Sequence, residues 1–359
     1  MNIISSIYNP FNIFYNGFTY VWNNKLNDYI KRPNQDDIKN SKLIIFNMNG
    51  VLRIGEDPIL IAKESFNTII KLNIPICIIT NEDRRSPKRI KKELKEMGYN
   101  INEDVKIISS GLLMLHHISS LINPLTYQEI NRKTKSQFKN NKKFLSSRKQ
   151  NFAVIGEQDF FHYIKQNTLN RYDNVDFHWI YDDIEPSNID YFVIGTLNNN
   201  VEILDIRKRI IKWIKLNQKA KFIITAPDKL TVENNKVINN ILPNMTLQIV
   251  RDEFAKEENM VELINHINSH IEYSSKPNPK FIKDEIEYNY NLKLDAKFKN
   301  NIIIVGDNIE TDIILGNKLN CFTSLVLSGV TKYTDLYKLK DIEHNNIDYI
   351  IPDISYLIL

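Results

Sequence analysis

The sequence predicts an α/β fold, a parallel sheet with helices on both faces, into which a second α/β unit is inserted. Short continuous apolar runs, such as Leu43–Phe46, Ile74–Thr80 and Asn301–Val305, alternate with stretches that are apolar at helical spacing. That alternation marks strands buried on both faces and joined by helices. The pattern breaks near residue 125, a second set of strand and helix signals follows, and the first pattern returns near residue 273. At 359 residues, 42% of them hydrophobic, the chain is long enough to bury two such cores.

Composition narrows the class further. Lys and Arg number 47 against 43 Asp and Glu, a net charge of +4 with the signs interspersed, so charge alone does not imply nucleic acid. Cys77 and Cys321 both lie inside apolar runs. Neither a disulfide framework nor a cysteine metal site can be built from them, and a reducing compartment, cytoplasm or mitochondrion, is expected. No stretch approaches the ~20 uninterrupted apolar residues of a membrane-spanning helix. The opening residues lack the charged and apolar regions of a secretory signal, and they are poorer in Arg and Ser than a typical transit peptide.

Taken in order, residues 1–40 form an arm with Tyr8, Phe11, Phe14, Tyr15, Phe18, Tyr20 and Trp22 set among Asn and Ser. So much aromatic surface needs something to lie against, either its own domain or a partner protein or membrane surface. Leu43–Phe46 reads as a strand running into a glycine turn, Leu60–Leu72 as a helix, and Ile74–Thr80 as a second strand. Ser86-Pro87 is an N-cap with proline at the first helical position, and Ile90, Leu94 and Met97 mark the inner face of the helix it opens. Val105–Ser109 is a third strand, followed by a helix carrying Leu112 to Leu121. Residues 124–150 hold eight basic residues from Arg132 to Lys149 against Glu129. This is a solvated loop, or else a surface for an acidic partner, an anionic lipid or RNA.

In the inserted unit, Phe152–Gly156, Tyr191–Gly195 and Lys221–Thr225 read as strands and Val201–Leu216 as an amphipathic helix. Residues 256–272 read as another helix, with His266 and His270 one turn apart. No third ligand lies near them in sequence, so a surface pair is expected rather than a metal site. The closing elements are helices at 278–288 and 311–319, strands at 301–305 and 323–327, and a short strand at 349–352. The domain boundaries that follow are an arm at 1–40, a core at 41–124 and 273–359, and an inserted cap at 125–272.

Four motifs stand at predicted strand ends: Asn47-Met48-Asn49-Gly50, Thr80-Asn81, Ser275-Lys276-Pro277, and Gly306-Asp307…Thr311-Asp312. In this order they resemble the haloacid dehalogenase-like (HAD) phosphatases, specifically the NagD-like, p-nitrophenylphosphatase branch. The resemblance implies a Rossmannoid core and a large α/β cap. It covers about residues 43–357. The segments 153–157, 190–195 and 221–228 look like the cap strands of NagD-type proteins, where the residue corresponding to Asp228 faces the substrate.

The resemblance also implies roles. In that family an aspartate at the position of Asn47 attacks phosphorus and a second, at the position of Asn49, moves protons. An amide is neither an oxygen anion nor a group that titrates near neutrality, so both halves of covalent turnover are expected to be missing. Thr80 and Asn81 match the phosphate-binding hydroxyl segment, and Lys276 matches the charge-offsetting lysine. Asn47, the Asn49 carbonyl, Asp307 and Asp312 match the Mg2+ ligand set, here with weak or lost affinity. Ser275 replaces the glycine usual before the lysine. The expectation is therefore a catalytically inactive HAD-like protein with a binding or structural role in a larger assembly. A mitochondrial setting is an analogy only. Residues 1–40 are then the protein contact, with 124–150 as a second surface. The alternative is a Mg2+-dependent NagD-type phosphatase acting on a small phosphoester.

Overall fold

The computed structural model describes residues 30–123, 149–183, 185–197, 203–227, 232–233, 236–237, 243–256, 260–295, 297, 299–338 and 346–358. Most of the aromatic arm, nearly all of the basic insertion and Asp228 lie outside these residues. In the first part of the chain the strands are β1 (Leu43–Asn47), β2 (Arg53–Ile54), β3 (Asp57–Pro58), β4 (Ile76–Thr80) and β5 (Lys106–Ser109). The insertion contributes β6 (Gln150–Ile155), β7 (Val175–Trp179), β8 (Tyr191–Ile194), β9 (Lys221–Ile224), β10 (Val232–Glu233), β11 (Lys236–Val237) and β12 (Ile271–Tyr273). The chain then returns to the first sheet with β13 (Asn300–Gly306), β14 (Cys321–Val326) and β15 (Tyr349–Ile351).

The core is a six-stranded sheet in the order β15-β14-β13-β1-β4-β5, every pair parallel. Numbered along the chain, those strands lie in the doubly wound order 3-2-1-4-5-6, which reverses direction between β1 and β13. Alternation along β1 explains the burial of both faces. Ile44 and Phe46 point into one apolar cluster with Ile303, Val305, Ile76 and Ile78, covered by the helices Leu60–Ile69 and Pro87–Glu96. Leu43 and Ile45 point into the opposite cluster with Cys77, Ile79, Ile302 and Ile304, covered by Phe281, Ile282 and Ile286 of the helix Lys280–Tyr290. A strand facing two cores has no polar side, which is why it reads as an unbroken apolar run.

The cap is a second parallel sheet, β12-β9-β8-β6-β7. One helix joins it to the core. Ser110–Ile122 is buried on nearly every side: Leu113 packs into the core sheet's cluster, while Met114, Leu115, Ile118 and Ile122 pack with Phe152, Val154 and Val193 of the cap. A helix buried on nearly every side belongs between two layers.

Several expected elements differ in detail. The helix expected over 256–272 is confined to Val261–Ser269, and Ile271–Tyr273 is instead a cap strand paired with β9. Three residues are too short a run to show strand alternation in sequence. The strand β7 and the helices Gln158–Leu169 and Pro243–Phe254 were not anticipated. The helix expected at 311–319 opens as a π-helical turn at Ile309–Ile313 before Ile314–Lys318 continues it. His266 and His270 stack at 4.2 Å and each meets a backbone carbonyl. Among the described residues no group of three His, Cys, Asp or Glu could hold a metal ion.

Phe222 on β9 is 1% exposed and stacks on Phe192 at 5.2 Å in the cap core. Truncating it leaves a cavity that the flanking strands cannot close, so Phe222→Ala is expected to cost about 3–5 kcal/mol in equilibrium urea unfolding.

Candidate functional site

Because the core strands are parallel, β1, β4 and β13 end on one edge, and the reversal between β1 and β13 opens a crevice there. Asn47 is the last residue of β1, Thr80 the last of β4, and Asp307 follows β13 directly. Pairing along β1 sets Phe46 beside Val305 and Asn47 beside Ile79. The three strand ends therefore present their side chains to one space.

Asn47 is half-buried and hydrogen-bonded at both ends of its amide. Its Nδ2 donates to the Asn49 carbonyl at 2.8 Å and to Asp307 Oδ1 at 2.7 Å. Its Oδ1 accepts from Lys276 Nζ at 2.9 Å. The partners dictate this orientation, since an ammonium only donates while a carbonyl and a carboxylate only accept. Lys276, 3% exposed, also donates to Asp312 Oδ1 at 2.5 Å. Asp312 Oδ2 accepts the backbone N–H groups of Asp307 and Asn308, both at 3.1 Å. The π-helical turn at Ile309–Ile313 is where the chain carries Asp312 back toward the strand end.

Asp307 Oδ2 accepts from the Val330 N–H at 2.7 Å. Its carboxylate is held between two glycines: a Cβ at Gly50 would lie 2.1 Å from Asp307 Oδ2, and one at Gly329 1.9 Å from it. Gly50 also has φ +80°, a left-handed turn that side chains disfavour. Burial first, and then the neighbouring Asp312 carboxylate, raise the Asp307 pKa well above the ordinary carboxylate range.

Asn49 accepts through Oδ1 from Arg53 Nε at 3.0 Å. Arg53 is 1% exposed and lies 3.4 Å from Glu93 and 3.9 Å from Glu82, which also holds Arg84 bidentately at 3.0 Å. On the β4 side, Thr80 is buried and its Oγ1 accepts the Glu82 N–H at 3.2 Å. Asn81 Oδ1 accepts from the Ser275 hydroxyl at 2.8 Å, which ties this loop to the residue preceding Lys276.

The structure thus joins Asn47, Lys276, Asp307 and Asp312 directly, brings in Asn49 through its carbonyl, and places Thr80 and Asn81 on the adjoining strand end. Arg53, the Ser275 hydroxyl and the two glycines around Asp307 were not foreseen as parts of the site. Gly50 closes the Asn47-Met48-Asn49-Gly50 motif, but nothing in the sequence pairs Gly329 with it. Asp83 was also missed. It is 2% exposed at the core–cap junction, where its Oδ2 accepts from Thr225 Oγ1 at 2.8 Å and from the Thr196 N–H at 2.9 Å. Burial, with Glu82 adding to it, pushes its carboxyl up to about 6.

Comparisons with known proteins agree with this architecture. The haloacid dehalogenase-like hydrolase family profile matches residues 44–169, and the HAD-hydrolase-like profile matches residues 273–357. The chain belongs to the haloacid dehalogenase-like family. Within it, the similarities that follow run to NagD-like and p-nitrophenylphosphatase proteins. It is 22% identical over 310 residues to the acid sugar phosphatase of Staphylococcus haemolyticus, an alignment spanning 85% of this chain and 91% of that protein. The fold is similar to that of p-nitrophenyl phosphatase from Archaeoglobus fulgidus, with TM-score 0.60 and 17% identity over 89% of this chain and 98% of that one. It is likewise similar to NagD from Escherichia coli K-12, with TM-score 0.57 and 17% identity over 88% and 97%. A Rossmannoid HAD core with a parallel-sheet cap is the fold of this protein.

The Asp83 carboxyl gives a pH test of the junction. Its folded-state pKa lies above the unfolded value, so the stability it contributes is present below about pH 4 and is lost as pH rises to about 6. Asp83→Asn keeps an acceptor for Thr225 and Thr196 but cannot ionise. Between about pH 4 and pH 7 the stability of the variant relative to wild type is expected to improve by roughly 1–3 kcal/mol, measured by urea unfolding at each pH.

Proposed function

We propose that this protein uses the NagD-like pocket to bind, in a binding or structural role, without acyl-phosphate turnover. One observation supports the reading above the others: Asn47, at the strand-end position facing Lys276 and Asp307, is an amide with both ends engaged. An amide nitrogen with two outgoing hydrogen bonds has no lone pair with which to attack phosphorus, and the amide oxygen is tied to an ammonium. Asn49 cannot exchange a proton near neutrality, and its oxygen is held by Arg53. Lys276, Thr80 and Asn81 retain the chemistry of phosphate recognition. The composition of residues 1–40 and 124–150 supports contacts with a partner protein and with an anionic surface, respectively.

The second reading is a Mg2+-dependent phosphatase acting on a small phosphoester. The comparisons favour it, because the acid sugar phosphatase and the p-nitrophenyl phosphatase are phosphatases by name. It requires a route that bypasses residue 47 as nucleophile.

Turnover separates the two. Wild type and the double variant Asn47→Asp/Asn49→Asp are assayed on p-nitrophenyl phosphate with Mg2+ present. The first reading expects wild-type turnover at least about 10³-fold below an ordinary phosphatase. Wild-type turnover on the order of 1 s⁻¹ or faster decides for the second reading.

A further inference from the structure

The family resemblance implies Mg2+, and the similarly folded glycerol phosphate phosphatase Rv1692 from Mycobacterium tuberculosis is known in complex with magnesium. The oxygens that could hold it in this chain can be followed one by one. Asp307 Oδ1 accepts from Asn47 Nδ2 at 2.7 Å and Asp307 Oδ2 from the Val330 N–H at 2.7 Å. Asp312 Oδ1 accepts from Lys276 at 2.5 Å, and its Oδ2 accepts two backbone N–H groups at 3.1 Å. The Asn49 carbonyl accepts from Asn47 Nδ2 at 2.8 Å. Asn47 Oδ1 faces the Lys276 ammonium at 2.9 Å.

Mg2+ requires hard oxygens, preferably anionic, in near-octahedral array, and it gives up water reluctantly. The oxygens the family resemblance assigns to it are Asn47 Oδ1, the Asn49 carbonyl and carboxylate oxygens of Asp307 and Asp312. In this chain the first is turned to the Lys276 ammonium, the Asn49 carbonyl and Asp307 Oδ1 to the Asn47 NH2 group, and the Asp312 carboxylate to Lys276 and two backbone N–H groups. Inverting the amide to offer its oxygen to an ion sets its NH2 against the Lys276 ammonium, donor against donor. The residues present do not fit the ion.

We propose that the side-chain amide of Asn47 takes the place of the divalent cation in this pocket. Its two N–H bonds are directed at two of the oxygens a cation would draw together, the Asn49 carbonyl and Asp307 Oδ1. Lys276 supplies the full positive charge that offsets the Asp307 and Asp312 carboxylates. The strand ends are cross-linked by hydrogen bonds instead of by coordination, and the pocket is assembled without metal. Ligand binding here is indifferent to Mg2+ and to chelators. The inference does not depend on whether the chain turns over phosphoesters: failure of that reading appears as product, failure of this one as a bound ion.

The test is a Mn2+ titration of the full chain followed by electron paramagnetic resonance, which counts free and bound ion directly. Wild type is compared with Asp307→Asn and Asn47→Asp. The expected result is no saturable site in wild type tighter than about 1 mM, no difference between wild type and Asp307→Asn, and at least about 10-fold tighter binding in Asn47→Asp. A saturable site in wild type that Asp307→Asn abolishes overturns the proposal. So does a folded Asn47→Asp variant that gains no binding. If Asn47→Asp does not fold, the comparison of wild type with Asp307→Asn decides alone.

Discussion

The hydrogen bond from Lys276 to the Asn47 amide oxygen sets the remainder of the pocket. Once that oxygen is committed to an ammonium, the NH2 end must face the other way, toward the Asn49 carbonyl and Asp307. Parallel pairing of β1 with β13 leaves no slack, because the two strand ends are held side by side by the ladder beneath them. A carboxylate at position 47 would set one anion directly against another across this gap, which calls for an intervening cation. An amide reverses the local requirement: it brings its own donor to the same place.

The geometry also couples the two sheets. β9 is followed directly by Thr225, whose hydroxyl meets Asp83 from the core, and the Thr225 carbonyl accepts from the Ser275 N–H one residue before Lys276. The Ser275 hydroxyl in turn reaches Asn81 after β4. Lys276 is therefore delivered to the pocket by the strand that carries the chain out of the cap, while the helix Ser110–Ile122 fills the space between the layers. The position of Lys276, which donates to both Asp312 and the Asn47 amide, is a property of cap and core together. Serine in place of a glycine before the lysine takes part in this arrangement through its hydroxyl bond to Asn81.

Much of this was legible in the chain itself. Runs such as Leu43–Phe46 and Ile302–Val305 read as strands buried on both faces, since a strand with one face in solvent alternates apolar with polar residues. Three of the four motifs, at the ends of β1, β4 and β13, share one crevice because a parallel sheet places all its carboxyl ends on one edge, and Lys276 reaches it from beyond the cap strand β12. Ser86-Pro87 opened a helix as its cap chemistry requires, with the Ser86 hydroxyl accepting from the Arg89 N–H. β12 has no readable period because it is three residues long, whereas β7 carries the apolar/polar alternation of a half-exposed edge strand rather than the continuous apolar runs on which the other strands were read.

What the sequence determined alone was the chemical identity of the site: which positions lack a titrating carboxylate, which cation survives, and that burial of these strands follows from their composition. Which way an amide points is a different kind of fact. It depends on neighbours more than 200 positions away, Lys276 and Asp307, whose donor or acceptor character reaches Asn47 only when the sheet closes. The same holds for the two glycines enclosing the Asp307 carboxylate and for the burial of Asp83 between sheets. Hydrogen bonds are directional and short-ranged, so their pattern emerges from packing in three dimensions, whereas hydrophobic periodicity is written along the chain.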